Sequence, residues 1–436
     1  MGTKTQQLSN SQLEKLSNQI VDWQTVHTAS TLNAVSGRGY FINTTSNVCT
    51  ITLPGSPVIG DTITIVDYAS TFATNNVTIN PNGNKIEADT SNGTLSTNDQ
   101  THTLVFTDST QGWKIVNQDT ASTIQPSYTA ATGGTVTTSG DFKIHSFTGD
   151  GCFVVSQIGN SVGGGSGVDY LVVAGGGGAS GGAPGDTRGG AGAGGFRYSA
   201  STYCSPSCAP GHPLRSPTGL TIAAQTYPVT VGGGGTGQNH PDIGTTGSNS
   251  VFSTITSAGG GSTNSSGSGA ACAARGGSGG GNPGGGGQNP GGAGNTPPTS
   301  PPQGNNGGAN SSGPDHAAGG GGGATAVGAT GGNTRPGGGA NGGAGAGLPN
   351  AFGTSGQNCG SYYYFSGGGG GAGSTPSSVT AGSGGIGGGG DGVGPNPSPA
   401  DPGTTNTGGG GGGGGPGATG GNGGSGIVVV RYKFQN

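Results

Sequence analysis

Charge is what this sequence has least of. Only 7% of its 436 residues are Asp, Glu, Lys or Arg, against a usual share of about one quarter. No glutamate follows Glu87, and Lys433 is the only lysine after Lys143. With a net charge of −4 and no basic stripe, the chain lacks the surface that displaces counterions from phosphates, so no nucleic-acid partner is expected. Long apolar runs are missing as well. None approaches the ~20 residues of a membrane span, which predicts a protein not embedded in a bilayer. The opening MGTKTQQLSN is polar with no apolar stretch behind it, so no signal peptide and synthesis in a cytoplasm are expected. Apolar residues make up 28% of the chain, too few for a conventional core along its whole length.

Catalytic templates are also absent. No GK[ST] occurs, so there is no phosphate loop of the Walker type. Matches to G-x-G-x-x-G are supplied by any glycine run, and none opens a helix as the dinucleotide fingerprint requires. The aspartates of the glycine-rich half, Asp169, Asp186, Asp242, Asp315, Asp391 and Asp401, are scattered, without the paired carboxylates that glycoside hydrolysis needs. No enzyme and no cofactor are expected.

What is abundant is glycine, and it is unevenly spread. The chain holds 108 glycines, 12 before residue 151 and therefore 96 from that position onward. They come in runs such as Gly408–Gly415, without the strict third-residue repeat that the crowded axis of collagen imposes. Composition of this kind is usually a flexible linker. Glycine also loses more backbone freedom on folding than any other residue. Ordered runs therefore need dense backbone hydrogen bonding, and a bundle of polyglycine II helices, with three residues per turn, would provide it.

The predicted fold is mainly β. A short helix is expected over residues 6–24, where Leu13, Leu16, Ile20 and Trp23 follow 3-4-3 spacing; it either caps its own domain or serves as a docking or trimerising stub. The expected organisation is an N-terminal attachment segment (1–25), a β-domain (26–120), a linker (121–134), and a β-sandwich framing a glycine-rich domain (135–436). In the first β-domain, Val48–Leu53, Thr62–Val66, Val77–Ile79, Thr103–Phe106 and Lys114–Val116 are β-branched segments bounded by turn residues. Beyond the linker, Thr135–Ser139, Phe142–Phe147 and Cys152–Ser156 read as strands. VDYLVVAGGGG at 168–178, Tyr227–Val231 and Val251–Ser257 are strands that run into glycine, and GIVVVRYKF at 426–434 closes the chain.

Residues 40–118, including GDTITIVDYASTFATNNVTINPNGNKIE and LVFTDSTQGWKIV, resemble a β-domain recurrent in phage tail-fibre proteins, notably those of marine cyanobacteria. The ordered set VDYLVVAGGGG, GGAGGFR, YPVTVGGGG, SVFSTITSAGGG and GSGIVVVRY is similar to the glycine-rich distal domain of phage tail fibres and adhesins. The resemblance implies a virion tail-fibre subunit, a homotrimer attached to other virion proteins through its N-terminus. Its distal domain would contact a host-surface glycan or outer-membrane protein. The inserts SASTYCSPSCAPGHPLRSPTG and NTPPTSPPQGNNGGANSSGPDH depart from the pattern and leave the receptor open. Two alternatives are a virion decoration without receptor binding and a free ice-binding type of protein.

Candidate receptor-binding residues are few. Tyr362, Tyr363, Tyr364 and Phe365 form an aromatic island that either covers the glycine bundle or offers faces to a ligand. Tyr203, His212 and His316 lie in loops of surface composition, where binding residues concentrate. Cys204, Cys208 and His212 give a C-x3-C-x3-H spacing, and His240 or Cys272 could complete a zinc site. A disulfide or free thiols explain the same spacing, and no metal is expected.

Overall fold

The computed structural model describes residues 21–116, 126–160, 163–183, 186–200, 214–264, 273–284, 289–311, 317–332, 338–373, 380–394 and 398–435. Most of the expected N-terminal helix lies outside them. Its last residues are a correction: Asp22–Trp23 is a short strand pairing in parallel with Arg38–Gly39. The linker at 121–134 is described only from residue 126. The described chain forms two compact units, one of residues up to Thr129 plus Ile158–Gly165, the other of Ala130–Gln157 plus Ser166 onward.

The first unit is a sandwich of two sheets around one apolar core. Strands Asp22–Trp23, Arg38–Ile42, Thr62–Asp67, Thr101–Asp108 and Gly112–Ile115 lie side by side in one sheet; Thr31–Asn33, Cys49–Thr52, Val77–Asn80 and Gly93–Leu95 form the other. Through its first six strands the chain passes back and forth between the sheets, so neighbours there are parallel, as Arg38–Ile42 with Thr62–Asp67 and Cys49–Thr52 with Val77–Asn80; Gly93–Leu95, Thr101–Asp108 and Gly112–Ile115 add antiparallel pairs. Alternation of buried and half-buried positions, as in Cys49–Thr52, turns every second side chain inward. Ile42, Ile51, Ile63, Ile65, Val77, Leu104 and Trp113 meet in the core.

The second unit has a different construction. Its central sheet runs Thr135–Ser139, Phe142–Phe147, Ile427–Lys433, Gly167–Val173, Phe196–Ser199 and Arg215–Ser216. A second sheet, Ala130–Thr132, Gly151–Gln157, Thr226–Thr230, Ser250–Phe252 and Ile255–Ser257, packs on one face through an aromatic cluster. Phe153 of the second sheet meets His145 of the central sheet edge to face, with centroids 5.1 Å apart, and tilts against Tyr432 beside it. On the other face Ile144, Leu171, Val173, Val429, Leu348, Phe352 and Phe365 form a separate core. Leu348 and Phe365 come from a small sheet of Ala346–Pro349, Tyr362–Phe365 and Gln357–Cys359. A sheet covered on both faces requires continuous apolar strands, hence LVV at 171–173 and IVVV at 427–430, all fully buried. The segment expected as one strand at 251–257 is a hairpin of two.

The glycine runs continue these strands. Val173 leads into 174–182, the run 189–195 leads into Phe196, the run 420–426 into Ile427, and Phe365 leads into 366–373. Each run is bonded sideways through its backbone, and the partner changes with every residue. The N–H groups of Ala174 and Gly177 go to Gly195 and Gly192; those of Gly175 and Gly178 to Ser248 and Thr245; those of Gly176 and Ala179 to Gly424 and Gly421. The partner returns every third residue. The run 188–195 donates to runs holding Gly319 and Gly322, Gly408 and Gly411, Ala258 and Gly261, and accepts from runs holding Ala174 and Gly177, Ser278 and Gly281, Gly369 and Ala372. This run is thus ringed by six others. Side chains have no room there: a Cβ on Gly190, Gly369 or Gly412 would fall on the carbonyl oxygen of Gly369, Gly411 or Asp391. Alanine is admitted at a few positions, such as Ala191 and Ala193, both fully buried.

Candidate functional site

In this scaffold the sparse polar side chains act on the backbone before they can act on a ligand. Asp150 accepts the Val231 N–H at 2.8 Å, and Asp391 accepts that of Gly384 at 2.6 Å. Arg215 donates to the Ala200 carbonyl at 2.8 Å. Asp169 and Arg431 pair at 3.0 Å, buried on adjacent strands, with the guanidinium 3.7 Å from the centre of the Phe142 ring. Burial pulls the Arg431 pKa down while Asp169 opposes the shift. Arg188 is wholly buried at the edge of a glycine run; its Nε donates to the Gly181 carbonyl at 3.2 Å, and Asp186 lies 3.8 Å from Nη1. Burial pulls the His145 pKa down, and its ring bridges the Gly133 carbonyl at 2.7 Å and the Tyr432 hydroxyl at 3.1 Å.

The aromatic island is divided by its strand. Alternation along Tyr362–Phe365 sends Phe365 into the core, fully buried, and Tyr363 packs partly against the same core. Tyr364 faces Gly347 across the sheet, and its ring occupies the space a Cβ on Gly347 would need. Tyr362 is the most accessible, 44% exposed, beside exposed Cys359 at the hairpin turn. Tyr203, Cys204, Cys208, His212, Cys272 and His316 lie outside the described residues. His240 is described and exposed. Among the described residues, no three of His, Cys, Asp and Glu are grouped as metal ligands would be.

Sequence reading passed over Asn295 and Gln303, which fix the described part of the proline-rich insert. Asn295, at φ 47°, uses one side-chain oxygen to accept from the N–H of Thr299 at 3.0 Å, the hydroxyl of Thr299 at 3.1 Å and the N–H of Gln303 at 3.1 Å. Gln303 is buried, donating to the Pro297 carbonyl and accepting from the Ala258 N–H, both at 2.8 Å. The signal was an amide on each side of TPPTSPP, since asparagine both tolerates the left-handed region and closes turns with its side chain. The loop therefore stands preshaped on the bundle.

Residues 161–433 match a family described as a glycine-rich domain. The chain belongs to that glycine-rich domain family. The matched span begins just before strand Gly167–Val173 and ends at Lys433, the last residue of strand Ile427–Lys433, so the family covers the runs together with the strands that open and close them. No curated protein matches the chain. Among the described residues no helix is long and apolar enough to cross a membrane.

Proposed function

We propose that this protein is a non-enzymatic fibre or adhesin subunit of a phage virion, whose glycine-rich domain carries loops that bind a host surface. The observation that supports this most is the preshaped Asn295–Gln303 loop, standing on a scaffold made of backbone alone. A rigid platform lowers the entropy lost when a loop binds, and loops on such platforms commonly carry recognition. Residues spent on capping and packing leave little for chemistry, which favours adhesion over catalysis. In this reading the glycine runs are polyglycine II helices, consistent with hydrogen-bond partners that return every third residue. Three copies would present the loops together, so that weak contacts multiply by valency.

The decisive experiment removes the domain from the particle. The cut belongs at Ala130, because Phe142–Phe147 and Gly151–Gln157 pair with later strands. Particles carrying only residues 1–129 are expected to assemble and fail to adsorb. Normal adsorption by them would overturn the proposal.

A further inference from the structure

A cleft on the second unit is lined mostly by hydroxyl side chains. It opens over the outer edge of the central sheet, where Thr135–Ser139 is the last strand. The antiparallel register sets Thr135 opposite Ser146 and Thr137 opposite Ile144. Because side chains alternate, Thr135, Thr137 and Ser139 share one face with Ile144, Ser146 and Thr148. The turn after Pro349 folds over that face and closes the second wall with Asn350, Gly353, Thr354 and Ser355. Gly353 turns there at φ 87°, close enough that an added Cβ would touch Ser146 and Ile144. The volume of this open cleft is about 410 Å³, within the usual range of roughly 300–1,000 Å³ for small-ligand sites.

None of the residues lining this cleft is charged or aromatic. The nearby Arg431, opposite Ile144 on the next strand, is already paired with Asp169. A phosphate, sulfate or carboxylate would find no cation, and a metal ion no carboxylate, imidazole or thiolate. Hydroxyls are the dominant polar groups, from threonine and serine on both walls. A hydroxyl donates one hydrogen bond and accepts two, which is the capacity of the hydroxyls on a sugar ring. Ile144 supplies an apolar floor for ring C–H groups. We infer that this cleft binds a neutral saccharide, through the hydroxyls of Thr135, Thr137, Ser146, Thr354 and Ser355. The inference rests on the surface-binding reading for its biological purpose, while the chemistry rests on the cleft. Without an aromatic platform each site is weak, with a Kd of about 1–10 mM expected, and valency would supply the rest.

The test is saturation-transfer NMR on the full-length protein with maltose, lactose and chitobiose, and with glucuronic acid as the charged comparison. At least one neutral disaccharide should bind in that range, and glucuronic acid no more tightly. The double substitution Thr137→Val with Ser355→Ala keeps shape and removes two hydroxyls, and should weaken binding at least about fivefold. Its thermal midpoint must match the parent; otherwise Thr354→Val, on the exposed turn, replaces it, with weakening of about threefold expected. Absence of binding by all three neutral sugars below about 50 mM, tighter binding of glucuronic acid, or unchanged affinity in the folded variant overturns the inference. If no sugar binds but removal of residues 130–436 abolishes adsorption, the saccharide site fails and the fibre reading stands. If sugar binds but truncated particles adsorb normally, the reverse holds.

Discussion

The two units of this chain solve the same problem with opposite materials. Residues 21–129 bury Ile, Val, Leu and Trp113 between two sheets, so apolar side chains removed from water supply the cohesion. The glycine-rich unit begins the same way, with cores on both faces of its central sheet. Beyond the strand ends the side chains vanish and the backbone becomes the core. Most N–H groups of the described runs find a carbonyl on a neighbouring run, with a net gain per bond of about 1 kcal/mol. Satisfied polar groups and tight backbone contact can replace a hydrophobic interior where no side chain intervenes. The price is intolerance: a methyl group is trivial on the surface of the first unit and unacceptable inside the bundle.

That contrast can be broken most directly at Gly190. Its Cβ would lie 1.9 Å from the Gly369 carbonyl oxygen, so Gly190→Ala should cost more than about 4 kcal/mol and abolish the soluble folded bundle. The measurement is the thermal midpoint and the yield of soluble protein; near-parental stability would show that the runs can spread apart. In the first unit the comparable loss needs a large side chain. Trp113→Ala, at a fully buried site, should cost about 3–5 kcal/mol by denaturant unfolding, leaving the glycine-rich unit folded.

A pH titration separates the units further, because both tryptophans, Trp23 and Trp113, lie in the first. Buried His102 has its pKa pushed down to about 4 from 6.5 by desolvation. The folded form then binds fewer protons than the unfolded chain. Its contribution is fully present above pH 6.5 and is lost as the pH falls toward 4, up to roughly 3 kcal/mol. Tryptophan-monitored unfolding of the parent and of His102→Gln should converge at acid pH; parallel curves would rule the effect out. The smallest expected change sharpens the bundle rule. Gly233 has no atom within 4 Å of an added Cβ, so Gly233→Ala should be neutral or stabilise by up to about 1 kcal/mol, as read by thermal midpoint.

Strand positions were legible in the sequence wherever β-branched residues alternate or run together, as in Thr62–Asp67, Phe142–Phe147 and Ile427–Lys433. Pairing was not. The parallel neighbours in the first unit arise because the chain alternates between sheets from Asp22–Trp23 through Val77–Asn80, and turn residues do not report whether the next strand joins the same sheet. Trp23 fitted a helical spacing, yet Asp22–Trp23 pairs beside Arg38 and Gly39, and the Trp23 ring stacks on Phe41 with centroids 4.7 Å apart. The aromatic island was visible as composition, but only strand alternation separates Tyr362 from Phe365. The hydroxyl-lined cleft left no motif, since its walls lie more than 200 residues apart in the chain.

By itself, the sequence determined that the protein is β-rich, poor in charge, and obliged to order long glycine runs through backbone contact. These follow from composition and short-range periodicity, which act locally. Tertiary structure alone decided which runs touch and which glycines tolerate a methyl group. It also decided where hydroxyls from distant strands converge. Glycine carries no side-chain code for its partner; the strands that flank each run set its place and direction, and the neighbouring carbonyls do the rest.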